Sequence, residues 1–277
     1  GHIPPAPGLI GEPDIAVAGP LARTVADLEL ALDVMAGPEP WRTPAARIVL
    51  PPPRRESPRG LRVAAWLDDP ACKVARAVRD RLEGAARALA GAGAEVDTDA
   101  RPDFDFEHAR LTFRSLLGAA MGAGTPPARL ERWAAREGDD ETTVASRAQA
   151  MRHAEWLVWN ERREQMRRQW HAFFEDWDVL LLPAMPTPAI PHDHSVPLPA
   201  RTVRVDGESR PYMERVDWAG LTGQAFLPAT VVPVGTTEEG LPVGIQIAGP
   251  FQEDRTPLAV GRMLEDLLGG FTRPPGY

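Results

Sequence analysis

The spacing of apolar and polar positions predicts a chain that alternates strands with helices. Apolar residues recur every three or four positions after Thr24, which is suited to cap a helix, and again across residues 74–89. Short apolar runs at 62–66 and 94–96 enclose this second helix. Such a strand–helix–strand unit normally joins two parallel strands through a right-handed crossover, so this part of the chain indicates an α/β fold.

The same reasoning predicts further elements along the rest of the chain. They are helical stretches at 106–121, 127–136 and 141–177, strands at 178–182, 230–234 and 243–248, and a last helix from about residue 256. Pro233 removes one ladder donor, so its strand should lie at a sheet edge or carry a bulge. The fold class that we expect is α/β, with a mixed β-sheet flanked by helices.

Two proline-rich segments interrupt this pattern. Residues 1–19 are rich in Pro and Gly and carry no helical or strand period, which predicts an irregular connector. Residues 38–59 contain PEP, TP, PPP and SP, which disfavour regular structure and suggest a segment that wraps the surface between two subregions. No internal repeat is evident.

Charge and composition exclude several classes of partner. Acidic residues outnumber basic ones by 39 to 31, the net charge is -8 and no basic tract stands out, so we predict no nucleic-acid partner. No apolar run approaches the roughly 20 residues needed to cross a bilayer, so no membrane association is predicted. The single cysteine, Cys72, cannot form an internal disulfide, and the default expectation is a cytoplasmic protein.

Three segments, in order, resemble the amidase-signature family of hydrolases. Residues 19–37, GPLARTVADLELALDVMAG, are similar to the family segment that follows the catalytic serine loop. Residues 178–191, DVLLLPAMPTPAIP, resemble its strand leading into a Pro-Thr-x-Pro loop, and residues 220–250 resemble its near-terminal Gly- and Pro-rich pattern. Phe226 and Leu227 replace a more usual arrangement of small residues there. The resemblance implies that residues 1–277 are the C-terminal portion of a single amidase-signature domain.

The resemblance also implies a chemistry whose parts this chain lacks. The family uses a serine nucleophile, a second serine with a cis peptide bond and a lysine, all upstream of the Gly-Pro-x-x-Arg segment. None of the five serines of this chain lies in a Gly/Ser-rich run: Ser57, Ser115, Ser146, Ser195 and Ser209. The only lysine is Lys73, and the neighbouring Asp68 and Asp69 favour its charged form. We therefore predict no catalytic residue in this chain, which alone should be inactive.

Three residues are predicted to contact substrate. Thr187 follows the DVLLL strand, and loops at the carboxyl ends of strands line ligand clefts in α/β folds. Asp217 and Trp218 lie where related amidotransferase subunits place an acidic group for the substrate amine. A surface charge for Asp217 and core packing for Trp218 are the alternative interpretations.

A metal site and a cofactor are not predicted. His192, Asp193, His194 and Ser195 form an H-D-H-S cluster that could suggest a metal site or a compressed hydrolytic triad. Adjacent residues in a proline-bounded loop rarely point at one centre, so the cluster is interpreted as a solvated loop.

The predicted function is hydrolysis of a linear carboxamide C–N bond through the upstream Ser-Ser-Lys triad. The expected partners are a small-molecule amide substrate and either a second copy of the chain or a complementary N-terminal fragment. One alternative is the glutaminase subunit of a tRNA-dependent amidotransferase, although its Asp-Pro-Leu-x-Met-Tyr stretch is not evident at residues 209–217. The other is a catalytically dead binding or scaffolding protein.

Overall fold

The computed structural model describes residues 3, 14–39, 41–274 and 276, so most of the predicted connector at 1–19 lies outside the described residues. The α-helices are α1 (Val25–Met35), α2 (Arg76–Gly91), α3 (Phe106–Met121), α4 (Pro127–Ala134), α5 (Glu141–Gln149), α6 (His153–Asp176), α7 (Asp217–Gly223) and α8 (Arg255–Leu268). The strands are β1 (Arg62–Ala65), β2 (Glu95–Asp97), β3 (Val179–Pro183), β4 (Thr202–Val205), β5 (Glu208–Pro211), β6 (Ala229–Thr236) and β7 (Pro242–Ala248). Two short 3-10 helices span Leu198–Ala200 and Tyr212–Val216.

The main sheet has five strands in the order β2-β1-β3-β7-β6. Strand β1 is parallel to both β2 and β3, with Val63 opposite Val96 on one side and Val179 on the other. Strand β7 then pairs antiparallel with β3 and β6. The mixed sheet flanked by helices is therefore confirmed, including the parallel pair joined by α2.

Strand β3 is buried along its whole length, as expected for a strand covered on both faces. Helices α2 and α8 contact the sheet and each other, and α1 packs against α8. Helices α3, α5, α6 and α7 form a second group, of which α7 contacts β3. Helix α7, which carries Asp217 and Trp218, belongs to this second group.

The long helical stretch predicted at 141–177 was wrong as a single helix. Asp140 caps α5 by accepting hydrogen bonds from the backbone N–H groups of Thr142 and Thr143. Helix α5 ends at Gln149, and α6 restarts where the Glu155 side chain accepts a 2.9 Å hydrogen bond from the Arg152 backbone N–H. Two separate capping arrangements therefore divide a stretch whose apolar periodicity alone looked continuous.

The hairpin formed by β4 and β5 was not predicted. Its turn is Asp206-Gly207, with φ of 48° and 89°, and Val203 and Val205 are its buried residues. An Asp-Gly pair beside alternating apolar residues is a strong hairpin signal, so the sequence did carry the information.

Strand β6 forms an edge of the main sheet, and its pairing with β7 is irregular between Pro233 and Thr236. This agrees with the position expected for Pro233. Residues 41–59 contain no helix or strand and run along the surface. Arg54 attaches that segment to the body, because its guanidinium donates to both Glu253 carboxylate oxygens at 2.6 and 2.8 Å.

Candidate functional site

A cavity of 170 Å³ lies at the carboxyl end of β3. Its walls are the first turn of α2, the loop at residues 184–189, the start of β7 and Arg215 of the second 3-10 helix. The loop is fixed to α2 because the Pro186 carbonyl accepts a 2.8 Å hydrogen bond from the Ala75 backbone N–H. Thr187, predicted to contact substrate, is one of the lining residues.

Two residues that line this cavity each carry a buried polar atom without a hydrogen-bond partner. Thr187 is 5% exposed, and its buried hydroxyl oxygen makes no hydrogen bond. The Arg215 Nε is likewise buried and unpartnered, although the same guanidinium donates from Nη1 to the Tyr212 hydroxyl at 2.8 Å. Buried donors without partners are uncommon in folded proteins, so both atoms mark a place where an acceptor is missing.

Arg215 also lacks a counter-ion among the described residues. Its guanidinium lies 5.0 Å from the centre of the Tyr212 ring, but no acidic side chain of the described chain forms an ion pair with it. The adjacent Glu214 is engaged by Arg210 at 2.9 Å. The cavity therefore has a positively charged wall whose charge no described residue neutralises through an ion pair.

Asp217 begins α7 and is buried, at 1% exposure, rather than lying at the surface as a free charge. Arg114 of α3 donates to its two carboxylate oxygens, each at 2.8 Å, and also reaches Glu141 at 3.0 Å. Burial raises the pKa of Asp217, and the Arg114 guanidinium opposes that rise. This ion pair joins α3 to α7.

Trp218 is fully buried in an aromatic cluster. Its ring lies edge-on to Phe106 at 4.7 Å and to Trp66 at 5.9 Å between ring centres, and its Nε1 donates to the Cys72 carbonyl at 3.0 Å. Burial, followed by the nearby Asp217 carboxylate, raises the pKa of the Cys72 thiol. The contacts of Trp218 are those of a core residue.

The structure thus separates the three predicted contact residues. Thr187 lines the 170 Å³ cavity, whereas Asp217 and Trp218 line neither this cavity nor the larger one described below. They follow Arg215 by two and three positions, so their buried contacts hold the segment that carries Arg215. Nothing in the local sequence pattern distinguishes Arg215 from the other arginines, because its neighbours in the cavity come from distant segments.

The other candidate groups lie elsewhere. Lys73 is about half exposed, and its ammonium lies 3.5 Å from the Glu208 carboxylate. His192 and His194 have ring centres 6.0 Å apart in an exposed loop. Across the part of the chain that the structure describes, no three His, Cys, Asp or Glu side chains are grouped to hold a metal ion.

A second cavity, of 790 Å³, is lined by charged residues of both signs. Several of its arginines are engaged: Arg54 with Glu253, Arg62 with Asp178, and Arg167 with Glu164. The acidic partners offset much of the positive charge, so this cavity favours no particular class of ligand.

Comparison with known proteins assigns the chain to a family. The sequence profile of the Amidase family matches residues 1–258. This chain belongs to the amidase family. An indoleacetamide hydrolase of Bradyrhizobium japonicum is 31% identical over 250 residues, covering 87% of this chain and 50% of that protein. A glutamyl-tRNA(Gln) amidotransferase subunit of Acidothermus cellulolyticus is 28% identical, covering 90% of this chain and 53% of that protein.

A bacterial aryl acylamidase of the amidase-signature family has the same fold, with a TM-score of 0.69 and 21% sequence identity. The match covers 96% of this chain and 56% of the acylamidase. The chain therefore spans about half the length of the relatives that it matches. None of the helices in the described residues is long and apolar enough to cross a membrane.

Phe226, expected from the sequence to depart from the family pattern, has an unusual backbone conformation. Its φ of 59° lies in the left-handed region, where a residue without a side chain is favoured. Guanidinium groups of Arg163 and Arg167 lie 4.7 and 5.2 Å from the centre of its ring. These cation–π contacts help to hold an aromatic residue in an unfavourable backbone conformation.

Proposed function

We propose that this chain is the C-terminal portion of an amidase that hydrolyses the C–N bond of a linear carboxamide. The observation that carries the proposal is the match to the Amidase family across residues 1–258. The indoleacetamide hydrolase, whose name gives a carboxamide substrate, is consistent with it. The expected substrate is accordingly a small-molecule amide, and no nucleic acid, metal ion or cofactor is invoked.

The chain contributes the substrate-binding part of the site, and the nucleophile comes from an upstream segment. Amide hydrolysis requires a nucleophile, a base that activates it and donors for the oxyanion. Lys73 is engaged with Glu208 at the surface, so it is a poor candidate for the base. In this proposal the chain alone is inactive, and it works with a complementary N-terminal segment in the cytoplasm.

The predicted contact residues have different parts in this proposal. Thr187 contacts substrate directly, as a wall of the 170 Å³ cavity. Asp217 and Trp218 act through their position, because the Arg114 ion pair and the Trp66–Phe106 cluster hold the adjacent segment in place. Contact of Asp217 or Trp218 with substrate stays a prediction.

A second candidate is the glutaminase subunit of a tRNA-dependent amidotransferase. It is favoured by the resemblance to the Acidothermus amidotransferase protein over 280 residues. Recognition of a substrate amine by Asp217 would require a carboxylate that the amine can reach, yet the Asp217 side chain is fully buried and paired with Arg114. This geometry favours the simple amidase over the glutaminase.

The proposal is tested by fragment complementation. The purified chain is assayed for ammonia release from indoleacetamide, benzamide and glutamine, alone and after mixing with a separately expressed upstream segment of its natural gene. We expect no turnover by the chain alone and turnover of the first two amides by the mixture. The matched control is the mixture in which the upstream serine nucleophile is replaced by Ala, which should be inactive.

Two results would contradict the proposal. The first is turnover by the chain alone that survives repeated purification, because its residues would then contain the nucleophile. The second is a mixture that hydrolyses only glutamine and co-purifies with further subunits, which would establish the glutaminase alternative.

A further inference from the structure

We propose that the 170 Å³ cavity is a carboxylate-binding subsite, in which Arg215 supplies the counter-charge and Thr187 a second hydrogen-bond donor. This subsite deepens the proposed function. It rests on that function in one respect, namely that the cavity is treated as part of the substrate pocket. The ligand class would be a short aliphatic carboxylate, free or as one end of a longer amide substrate.

The charge of the site comes from Arg215. An arginine remains protonated at neutral pH, and a partly buried cation without a partner is costly. The unpartnered Nε belongs to a guanidinium that contacts Tyr212, and a phenol hydroxyl and ring offer no negative charge at neutral pH. A bound carboxylate would supply both the missing acceptor and the missing charge.

The second donor comes from Thr187. Its hydroxyl is buried and unpartnered on the loop tied to α2, and that loop and Arg215 line the same cavity. A carboxylate has two oxygens, each able to accept, so one ligand group could satisfy both orphaned donors. The Arg215 guanidinium only donates and carries a positive charge, which distinguishes this cavity from a site for a cation.

The remaining walls set the size and character of the ligand. The rest of the lining combines backbone polar groups with apolar side chains, which include Val78, Met185, Pro188 and Val243. Its 170 Å³ is roughly six times the ~30 Å³ that one water occupies in the liquid. These walls suit a carboxylate with an aliphatic tail of about three carbons.

The experiment measures binding rather than turnover, with the complete chain as it exists. Butyrate is titrated into the isotopically labelled protein and followed by NMR, and its neutral counterpart butyramide is titrated in parallel. We expect butyrate to bind at millimolar concentration, and butyramide at least about 10-fold more weakly, because only butyrate neutralises Arg215.

Paired variants test the two donors. Arg215→Met should weaken butyrate binding by about 10-fold or more, and Thr187→Val, which keeps the side-chain shape, by about 3- to 10-fold. Arg215→Lys keeps the charge but loses the Nε donor, so an intermediate loss is expected. The matched controls are Arg204→Met and Thr202→Val on the exposed face of β4, which should change the affinity less than about 2-fold.

The possible outcomes separate clearly. The subsite is overturned if butyrate fails to bind, if butyramide binds as tightly, or if Thr187→Val and the folded Arg215 variants bind as the controls do. Folding of each variant is checked by its melting temperature, and Thr187→Val remains informative if the arginine variants unfold.

Failure of the subsite and failure of the proposed function are distinguishable. Butyrate binding by a chain that never reconstitutes amide hydrolysis would leave the subsite standing and remove the function. A reconstituted amidase whose KM for a carboxylate-bearing amide is unchanged in Thr187→Val would retain the function and overturn the subsite.

Discussion

Replacing Arg114 with Met would leave the Asp217 carboxylate buried without its counter-charge. The Asp217 side chain is fully inaccessible, and both of its oxygens accept 2.8 Å hydrogen bonds from this one guanidinium. Breaking a buried pair from one side costs about 3–5 kcal/mol, because a buried charge is left uncompensated. The variant can reduce that cost only by protonating Asp217.

The expected magnitude follows from that protonation. Holding a carboxyl group with an ordinary pKa of about 3.9 in its neutral form costs about 4 kcal/mol at pH 7 and about 1.5 kcal/mol at pH 5. In the folded variant the pKa of Asp217 lies above its unfolded value, so stability is greatest at low pH and is lost as the pH rises. The destabilisation caused by Arg114→Met should therefore shrink by about 1.4 kcal/mol per pH unit on acidification.

Urea unfolding followed by tryptophan fluorescence at pH 5, 6 and 7 measures this dependence. The matched control is Arg87→Met on α2, which removes a pair with Glu83 at the exposed surface and should cost less than about 1 kcal/mol. Arg114→Met combined with Asp217→Leu removes both charges and should recover much of the loss. A penalty that is the same at pH 5 and pH 7, or no larger than that of Arg87→Met, would refute the reasoning.

Three further perturbations test other parts of the fold. In Gly220→Ala the new Cβ would lie 2.3 Å from the Phe113 ring, so we expect the free energy of unfolding measured in urea to fall by about 1–3 kcal/mol. The control is Gly223→Ala in the same helix, whose new Cβ meets nothing within 4 Å and should leave stability unchanged or raise it. Cys72 of the folded protein should resist thiol reagents and react fully after unfolding, because its thiol is buried and burial raises its pKa. Rapid labelling of the folded protein would contradict this prediction. Arg54→Met should speed proteolytic cleavage within residues 41–59 several-fold, because it removes the hydrogen bonds to Glu253 that attach this segment to the body. An unchanged cleavage rate would show that other contacts hold the segment.

Much of the architecture was readable from local pattern. The parallel pair around α2, the buried run at β3 and the edge position of Pro233 follow from periodicity and from the missing proline donor. The break between α5 and α6 was missed because Glu155 caps α6 through a backbone hydrogen bond inside a stretch of unbroken helical character. The β4–β5 hairpin was missed although Asp206-Gly207 signalled it.

The sequence by itself determined the α/β class, the amidase resemblance and the position of Thr187 just after a buried strand, since these depend on residue order and on signals within one segment. Only the tertiary structure decided that Asp217 is neutralised by Arg114, from 103 positions away, and that Arg215 shares a cavity with Thr187. Burial and counter-charge are properties of the folded surroundings, and those surroundings come from segments that the local pattern does not connect. The same side chain, Asp217, is therefore a surface charge or a buried ion pair according to what packs over it.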